Sequence, residues 1–279
     1  MKDETIKKAV RESYAKVATG SSCGCGSSSG SCCSQIDTAK EISGNMGYSK
    51  EELEKLPEGA NLGLGCGNPL ALASLKRGEI VLDLGSGAGI DCFLAAEKVG
   101  PEGKVIGVDM TPEMLDKARE NILKSNYRNV EFRLGEIENL PVADNFIDII
   151  ISNCVINLAP DKDRVFSEAF RVLKPGGRIM VSDIVLLKEL PEIIKKDMAA
   201  YVSCVSGAVI KDSYLSSIKS AGFSDVKINE EINFPLDYIL GDETALIIKN
   251  KLSLSEKQIK DLETTVVSIK VSAIKQEII

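Results

Sequence analysis

Apolar and amphipathic segments alternate through the middle of the chain. Five apolar runs have the length and composition of buried strands, and they lie near residues 80–84, 104–109, 129–134, 146–152 and 178–184. Helical spacing of apolar residues predicts helices near 91–99, 112–124 and 161–173. This alternation is typical of right-handed crossovers and a mostly parallel sheet, so residues 71–187 are expected to form one α/β domain.

The N-terminal extension, residues 1–70, has a different pattern. Apolar spacing predicts an amphipathic helix over Met1–Ala18, and a Ser-x-x-Glu capping pattern opens a short helix over Ser49–Lys55. Between these helices, Thr19–Ser34 is rich in Ser, Gly and Cys, which predicts a loop.

The C-terminal region, residues 188–279, is predicted to be a small α+β addition. Its predicted elements are helices over 190–200 and 212–221 and strands over 226–232, 245–249 and 267–273. The last strand alternates strictly between polar and apolar residues and is expected to be half-buried. The predicted fold class is therefore α/β, a Rossmann-like sheet with an N-terminal helical, cysteine-rich extension and this C-terminal addition.

The stretch Val81–Gly89 carries the most informative motif. Its apolar run ends at Asp83, and glycines follow at the alternate positions 85, 87 and 89. Glycines let the backbone turn sharply and let a ligand lie against the main chain. In open α/β sheets, such a turn at the carboxyl end of a strand is the usual position of a ligand.

Two further pieces narrow the choice of ligand. The next strand ends at Asp109, where a carboxylate can accept both hydroxyls of a ribose. The third strand runs into the loop 135–141. The glycine spacing differs from G-x-G-x-x-G, and no P-loop Lys-Ser/Thr follows. These features are compatible with several nucleoside-containing ligands. An NAD-binding domain and a non-catalytic nucleotide-binding fold are two interpretations that stay open at this point.

Composition limits the possible partners. The 279 residues are 44% hydrophobic and 27% charged, which is ordinary for a globular protein, and the net charge of −7 gives no basic surface for nucleic acid. No apolar run approaches the roughly 20 residues of a membrane helix, and no secretory signal is recognisable. We expect a cytoplasmic monomer that binds neither membrane nor nucleic acid.

Cysteine and histidine usage limits the chemistry. The chain has eight cysteines and no histidine, so His-assisted nucleophiles and zinc sites that need histidine are excluded. In a reducing compartment the cysteines are expected to be thiols, metal ligands or redox pairs. Four lie in the predicted loop, whose spacing does not match the usual zinc pairs, and an exposed linker with incidental cysteines is the alternative.

The glycine turn, Asp109 and the loop 135–141, in this order, resemble the class I S-adenosylmethionine (SAM) methyltransferases. The resemblance implies SAM as the cofactor. It assigns the methionine end to Asp83 and the glycines, the ribose to Asp109 and the adenine to the third loop. The cofactor-binding residues expected on this basis are Asp83, Gly85, Gly87, Gly89, Asp109, Met110, Glu136, Ile137 and Asn153.

Three cysteine-containing stretches resemble the arsenite SAM methyltransferases more specifically. They are Gly65–Gly67, Asn153–Lys162 and Cys204–Ala208, and the likeness extends from the first helix to about Ala221. The resemblance implies that Cys66, Cys154 and Cys204 are the three thiols that bind trivalent arsenic.

The family also has a cysteine in its N-terminal loop that forms a disulfide during turnover. Cys32 or Cys33 is the best match, although this loop is longer and richer in cysteine than the family pattern. The resemblance implies a bridge from one of them to Cys66, reopened by an external dithiol reductant such as thioredoxin. Cys92, in the first helix after the glycine turn, is expected to be structural.

The chemistry of arsenic fits these residues. As(III) is a soft centre that selects thiolates, and its lone pair is already a nucleophile, so a chain without histidine needs no general base. The expected activity is SAM-dependent methylation of arsenite, taken as a thiol conjugate, for arsenic detoxification. The alternatives are methylation of another small molecule, such as a quinone precursor, and a thiol-rich protein that only sequesters a metalloid.

Overall fold

The computed structural model describes residues 3–20, 33–65, 75–195, 198–202, 204, 206–233 and 264–277. Several predictions concern residues outside these ranges. They include most of the cysteine-rich loop with Cys32, the arsenic-site candidate Cys66, and the strand expected over 245–249. The backbone of Cys33 is described as the first residue of a helix, but its side chain is not.

Among the described residues, seven strands form one sheet in the order β3-β2-β1-β4-β5-β7-β6. The strands are β1 (Ile80–Leu84), β2 (Lys104–Asp109), β3 (Val130–Leu134), β4 (Ile147–Asn153), β5 (Leu173–Leu186), β6 (Ser224–Asn233) and β7 (Val266–Ile274). Strands β1 to β5 pair in parallel, whereas β7 runs antiparallel to both β5 and β6. This confirms the predicted α/β fold with its five central strands.

The described helices lie close to their predicted positions, with one addition. They are α1 (Asp3–Thr19), α2 (Cys33–Asn45), α3 (Lys50–Lys55), α4 (Ile90–Val99), α5 (Pro112–Leu123), α6 (Lys162–Val172), α7 (Glu192–Lys195), α8 (Met198–Val202) and α9 (Lys211–Ser220). The predicted capping box is present, because Ser49 and Glu52 each accept a hydrogen bond from the other's backbone N–H. Helix α2 was not predicted, since its sequence is mostly polar.

The strands that follow β4 differ from the sequence-based prediction. Strand β5 begins at Leu173 rather than near 178, and a register shift between Ile147 and Ile149 accommodates the intervening glycine turn. Strand β7 is buried over most of its length, not half-buried, because it lies between β5 and β6. The C-terminal strands thus extend the central sheet, while the proposed boundaries at 70 and 187 stay a prediction.

Side chains alternate between the two faces of the sheet. Leu82 and Leu84 of β1 pack in the cluster that contains α6 and α9, whereas Val81 packs with α4 and α5. Asp83 follows the same alternation as Val81, so its side chain points to the face covered by α4. The pairing of Leu84 with Ser152 brings the carboxyl ends of β1 and β4 together, which creates the crevice used by the site.

No helix among the described residues has both the length and the apolar character needed to cross a lipid bilayer.

Lys275 provides a test of how the C-terminal residues hold to the sheet. Its buried ammonium donates to Asn145 Oδ1 at 2.8 Å and to the carbonyls of Phe170 at 2.8 Å and Leu173 at 2.7 Å. Lys275→Met removes the donor and leaves buried carbonyls without a partner, so we expect a loss of about 2–4 kcal/mol in the free energy of unfolding. Urea unfolding measures it, with the exposed Lys188→Met as control; equal stability of both variants would contradict this role.

Candidate active site at the carboxyl ends of β1 and β4

The glycine turn after β1 approaches the loop after β4 too closely for side chains. The N–H groups of Gly85 and Ser86 both donate to the Val108 carbonyl, at 2.8 and 3.0 Å, and this fixes the turn against β2. Gly85 has φ +68°, and a Cβ there would lie 2.3 Å from Val155 Cγ2. Glycine is therefore required at this position both by its conformation and by the loop that carries Cys154.

A cavity of about 1140 Å³ opens where these two loops meet. It is bordered by α1, the segment 60–65, and the ends of β1, β2 and β4. The predicted site residues that line it are Asp83, Gly85, Gly87, Asp109, Met110, Ile137, Asn153, Cys154 and Cys204. The fold thus brings together residues from five separate parts of the sequence.

Two predicted cofactor residues have other contacts. Gly89 does not line the cavity; a Cβ there would lie 2.7 Å from the Phe132 ring, so this glycine permits packing between α4 and β3. Glu136 does not line it either, because its carboxylate accepts a 2.7 Å hydrogen bond from Lys7 Nζ of α1. The sequence predicted both positions from the motif alone, and a direct role for them stays a prediction.

The carboxylate of Asp109, at the end of β2, is fixed in orientation by backbone hydrogen bonds. Its two carboxylate oxygens accept hydrogen bonds from the N–H groups of Gly87 at 2.9 Å and Thr111 at 2.8 Å. Burial raises the pKa of Asp109, and these backbone donors oppose the shift. Each oxygen keeps a lone pair that can accept from a ligand hydroxyl.

Two further carboxylates, Asp83 and Asp91, are almost fully buried beside the same cavity. Burial, reinforced by the charge of Asp91, raises the pKa of Asp83 well above its usual range. Burial raises the pKa of Asp91 to about 6. Sequence reasoning missed Asp91, which looked like an ordinary acidic residue in the first turn of a helix.

Cys154 and Cys204 lie side by side in left-handed backbone conformations. Their φ angles are +58° and +65°, and they are two of four non-glycine residues with positive φ in the described part of the chain. Cys204 Sγ donates to the Cys154 carbonyl at 3.0 Å, and the Cys154 N–H donates to the Ser182 carbonyl at 2.8 Å. Such strained backbone persists only where surrounding contacts enforce it, and it is often found at functional sites.

The two cysteines differ in oxidation state. Cys154 is in the disulfide-bonded form, whereas Cys92 and Cys204 are free thiols. Cys92 is fully buried in α4 and donates to Asp83 Oδ2 at 3.3 Å, away from the cavity lining, which is consistent with its expected structural place. Within the described ranges, no group of three His, Cys, Asp or Glu side chains forms a metal site; Cys66, the third predicted thiol, lies outside them.

Burial and a nearby carboxylate raise the pKa of the Cys204 thiol far above its usual range. The carboxylate is Asp183, whose own pKa burial raises to about 7. The buried ammonium of Lys162 and a hydrogen bond from Tyr14 act in the opposite direction and favour the thiolate. Bound metal or metalloid would therefore have to displace the thiol proton for Cys204 to become a ligand.

The cavity residues fit a cofactor with a cationic end and a nucleoside. Buried carboxylates at Asp83 and Asp91 can accept a positively charged group, and Asp109 presents lone pairs for ribose hydroxyls. Met110 and Ile137 supply apolar surface for a base. Tyr14 of α1 also lines the cavity beside Cys204, so the first helix covers the pocket.

Comparison with known proteins finds similarity to methyltransferases. A family model described as a methyltransferase domain matches residues 75–222. The chain is 51% identical over 231 residues to the arsenite methyltransferase of Halobacterium salinarum, covering 81% of this chain and 59% of that protein. It is 42% identical over 174 residues to the arsenite methyltransferase of Aquipseudomonas alcaligenes, covering 60% of this chain and 50% of that protein.

A solved structure is similar over a larger share of its length. It is an arsenic(III) S-adenosylmethionine methyltransferase from Chlamydomonas reinhardtii, with 31% identity and a TM-score of 0.63. The match covers 87% of this chain and 74% of that one. By contrast, the chain spans only 59% and 50% of the lengths of the two curated relatives.

Asp183 gives the unliganded protein a predictable response to pH. Its folded pKa of about 7 lies above the ordinary value of 3.8, so its contribution to stability is complete below the ordinary pKa and is lost as pH rises through 7. Asp183→Asn removes this group but can keep hydrogen bonds with Asn157 and Tyr214. We expect the wild-type free energy of unfolding to fall by about 1–3 kcal/mol more than that of the variant between about pH 5 and pH 7.5.

Urea unfolding at the two pH values measures this difference. The exposed Asp212→Asn is the matched control and should keep the wild-type pH dependence. An Asp183→Asn variant with the same pH dependence as wild type would contradict the assignment.

A substitution at Gly207 can test the contact between the segment that follows Cys204 and the loop after β4. A Cβ at Gly207 would lie 2.1 Å from the Asn157 carbonyl oxygen, so Gly207→Ala must move one backbone segment. We expect the Cys204 thiol to react with a maleimide at least about tenfold faster in this variant, because it loses burial. Peptide mass spectrometry locates the label. Gly44→Ala, where nothing lies within 4 Å, is the control; unchanged labelling of Cys204 in Gly207→Ala would contradict the expectation.

Proposed function

Because the chain belongs to the arsenite S-adenosylmethionine methyltransferase family, within the class I methyltransferases, we propose that it methylates trivalent arsenic. The substrate would be arsenite, delivered as a thiol conjugate, and the biological outcome would be arsenic detoxification. The supporting observation is the juxtaposition of Cys154 and Cys204 in a cavity bounded by the glycine turn, with the Cys204 sulfur 3.0 Å from the Cys154 carbonyl oxygen.

The residues divide between cofactor and substrate. We propose that Asp83, Gly85 and Gly87 hold the methionine end of SAM and that Asp109 holds the ribose. Met110, Ile137 and Asn153 would complete the pocket, with Glu136 and Gly89 acting through the loops that they fix. When bound, SAM supplies an electrophilic methyl group on a sulfonium.

The thiols would hold arsenic and supply no proton transfer. Cys154, Cys204 and Cys66 are the proposed ligands. Their thiol protons would leave as arsenic binds, and arsenic would then attack through a lone pair that is already nucleophilic. Since Cys154 is disulfide-bonded here, it must first be reduced before it can act as a ligand. Positioning is then the main contribution of the protein, and positioning can lower a barrier by roughly 7–11 kcal/mol.

Turnover requires electrons. Transfer of a methyl cation formally oxidises As(III) to As(V); two cysteine thiolates that join in a disulfide return two electrons and restore As(III). We propose that Cys32 or Cys33 forms this bridge with Cys66. An external dithiol such as thioredoxin would reduce it. We also propose a cytoplasmic location, because a thiolate site needs a reducing compartment. The proposed oligomeric state is a monomer.

The deciding experiment incubates the reduced protein with arsenite, SAM and a dithiol and measures methylated arsenic by mass spectrometry. Cys154→Ser and Cys204→Ser should each lower the rate at least about 100-fold, because each removes a proposed arsenic ligand. Cys92 does not line the cavity, and Cys92→Ser keeps a hydrogen-bond donor to Asp83. The methylation rate of this control variant should therefore stay within about threefold of wild type.

Three outcomes would contradict this proposal. Full-rate methylation by both ligand variants would exclude the thiol site, and arsenic binding without consumption of SAM would indicate sequestration. Methylation of a quinone precursor in place of arsenite would indicate a small-molecule methyltransferase with incidental cysteines. Multiple turnovers by a Cys32→Ser, Cys33→Ser double variant would exclude the proposed bridge alone.

A further inference from the structure

A buried tyrosine, Tyr48, joins two cavity-lining side chains in one polar network. Tyr48, between α2 and α3, is only 3% exposed. Its hydroxyl donates to Asp91 Oδ1 at 2.8 Å and accepts from Asn153 Nδ2 at 2.9 Å. Asn153 Nδ2 also lies 3.4 Å from Asp91 Oδ2, so three elements distant in sequence share one network.

Tyr48 lies behind the cavity, whereas its two partners face it. Asp91 and Asn153 both line the cavity, and Tyr48 is not among the residues that do. A buried tyrosine that joins two such side chains restricts their rotation and satisfies their hydrogen-bonding groups. Its effect on a ligand must therefore pass through these partners.

The charges around Asp91 favour a cationic ligand. Asp83 of β1 and Glu52 of α3 are the acidic groups that act on it, and Glu52 is itself 3.7 Å from Lys98 Nζ. Burial raises the pKa of Asp91, and the hydrogen bonds from Tyr48 and Asn153 oppose the shift. A positively charged group in the cavity would compensate the two carboxylates, since opposite charges interact more strongly at a buried site than in water.

The same network includes the residue that directly precedes Cys154 in the loop after β4. Asn153 directly precedes Cys154, whose backbone is held at φ +58°. On the other side of the amide, a Cβ at Gly65 would lie 2.8 Å from Asn153 Nδ2, so the segment before Cys66 packs directly on it. A fixed Asn153 side chain thus supports both segments that lead to proposed arsenic ligands.

We infer that Tyr48 is a positioning residue, which orients the Asp91 carboxylate to receive the ammonium group of the cofactor and fixes Asn153 next to Cys154. This inference rests on the proposed function, because it assumes a cofactor with a methionine end. It adds Asp91 to the binding residues and gives the N-terminal extension a direct part in forming the pocket.

Cofactor binding without catalysis provides the test. The probe is S-adenosylhomocysteine, which carries the ammonium group, bound to reduced protein without arsenic and measured by isothermal titration calorimetry between about pH 5.5 and pH 8. Wild-type affinity should fall once pH drops below the Asp91 pKa of about 6, since the neutral acid cannot pair with the ammonium.

Tyr48→Phe removes a hydrogen bond that stabilises the carboxylate, so the loss of affinity should begin at higher pH. We expect binding at least about fivefold weaker than wild type near pH 6 and within about threefold of it near pH 8. Tyr127→Phe is the matched control, because it also removes a tyrosine that donates to a carboxylate, Glu97 at 3.0 Å, outside the cavity. Its curve should coincide with that of wild type.

Asp91→Asn gives an independent test that does not depend on the tyrosine. It should weaken binding at all pH values, reduce the pH dependence near pH 6 to the part that Asp83 contributes, and leave little further effect for Tyr48→Phe in the double variant. Parallel curves for wild type and Tyr48→Phe, or wild-type pH dependence in Asp91→Asn, would overturn the inference. If the wild-type protein binds no S-adenosylhomocysteine, the proposed function fails and the inference fails with it; if it binds but does not methylate arsenite, only the arsenic activity is excluded.

Discussion

The close approach between the glycine turn and the loop after β4 is the constraint on which the site depends. Parallel pairing of β1 with β4 places Gly85 against Val155, at a separation that leaves no space for a side chain. The same loop carries Cys154, whose N–H is fixed by the Ser182 carbonyl of β5. The glycine turn and the loop that carries Cys154 are therefore two sides of one packed contact.

The groups that line the cavity differ in charge and chemistry from one part of it to another. The cavity concentrates buried carboxylates on the side of the glycine turn, at Asp83 and Asp91, and a thiol on the side of α8, at Cys204. Lone carboxylates in such surroundings tend to take up protons, whereas a bound cation would restore their charge. Carboxylates that suit a cationic group and a thiol that suits a thiophilic metalloid thus line one cavity, and the proposed methyl transfer would require the two ligands to bind next to each other within it.

The sequence predicted those features that are encoded locally. Apolar runs located the five central strands, and the glycine motif located the turn, because strand burial and turn geometry depend on neighbouring residues. Helix α2 was missed, since it is short of apolar residues. The contact of Glu136 with Lys7 joins residues 129 positions apart, and no local pattern could reveal it. Nor does a cysteine signal a left-handed backbone in the way that glycine does, so the strain at Cys154 and Cys204 became visible only in the fold.

The N-terminal extension is part of the site rather than an addition to it. Helix α1 contributes Tyr14 beside Cys204, and its Lys7 binds the loop after β3 through Glu136 and Glu138. Tyr48, behind the cavity, donates to Asp91 and accepts from Asn153, so the extension contacts residues around the cavity at three places. The sheet and α4 supply the turn and the carboxylates, and the extension supplies another part of the cavity lining through α1 and the segment 60–65.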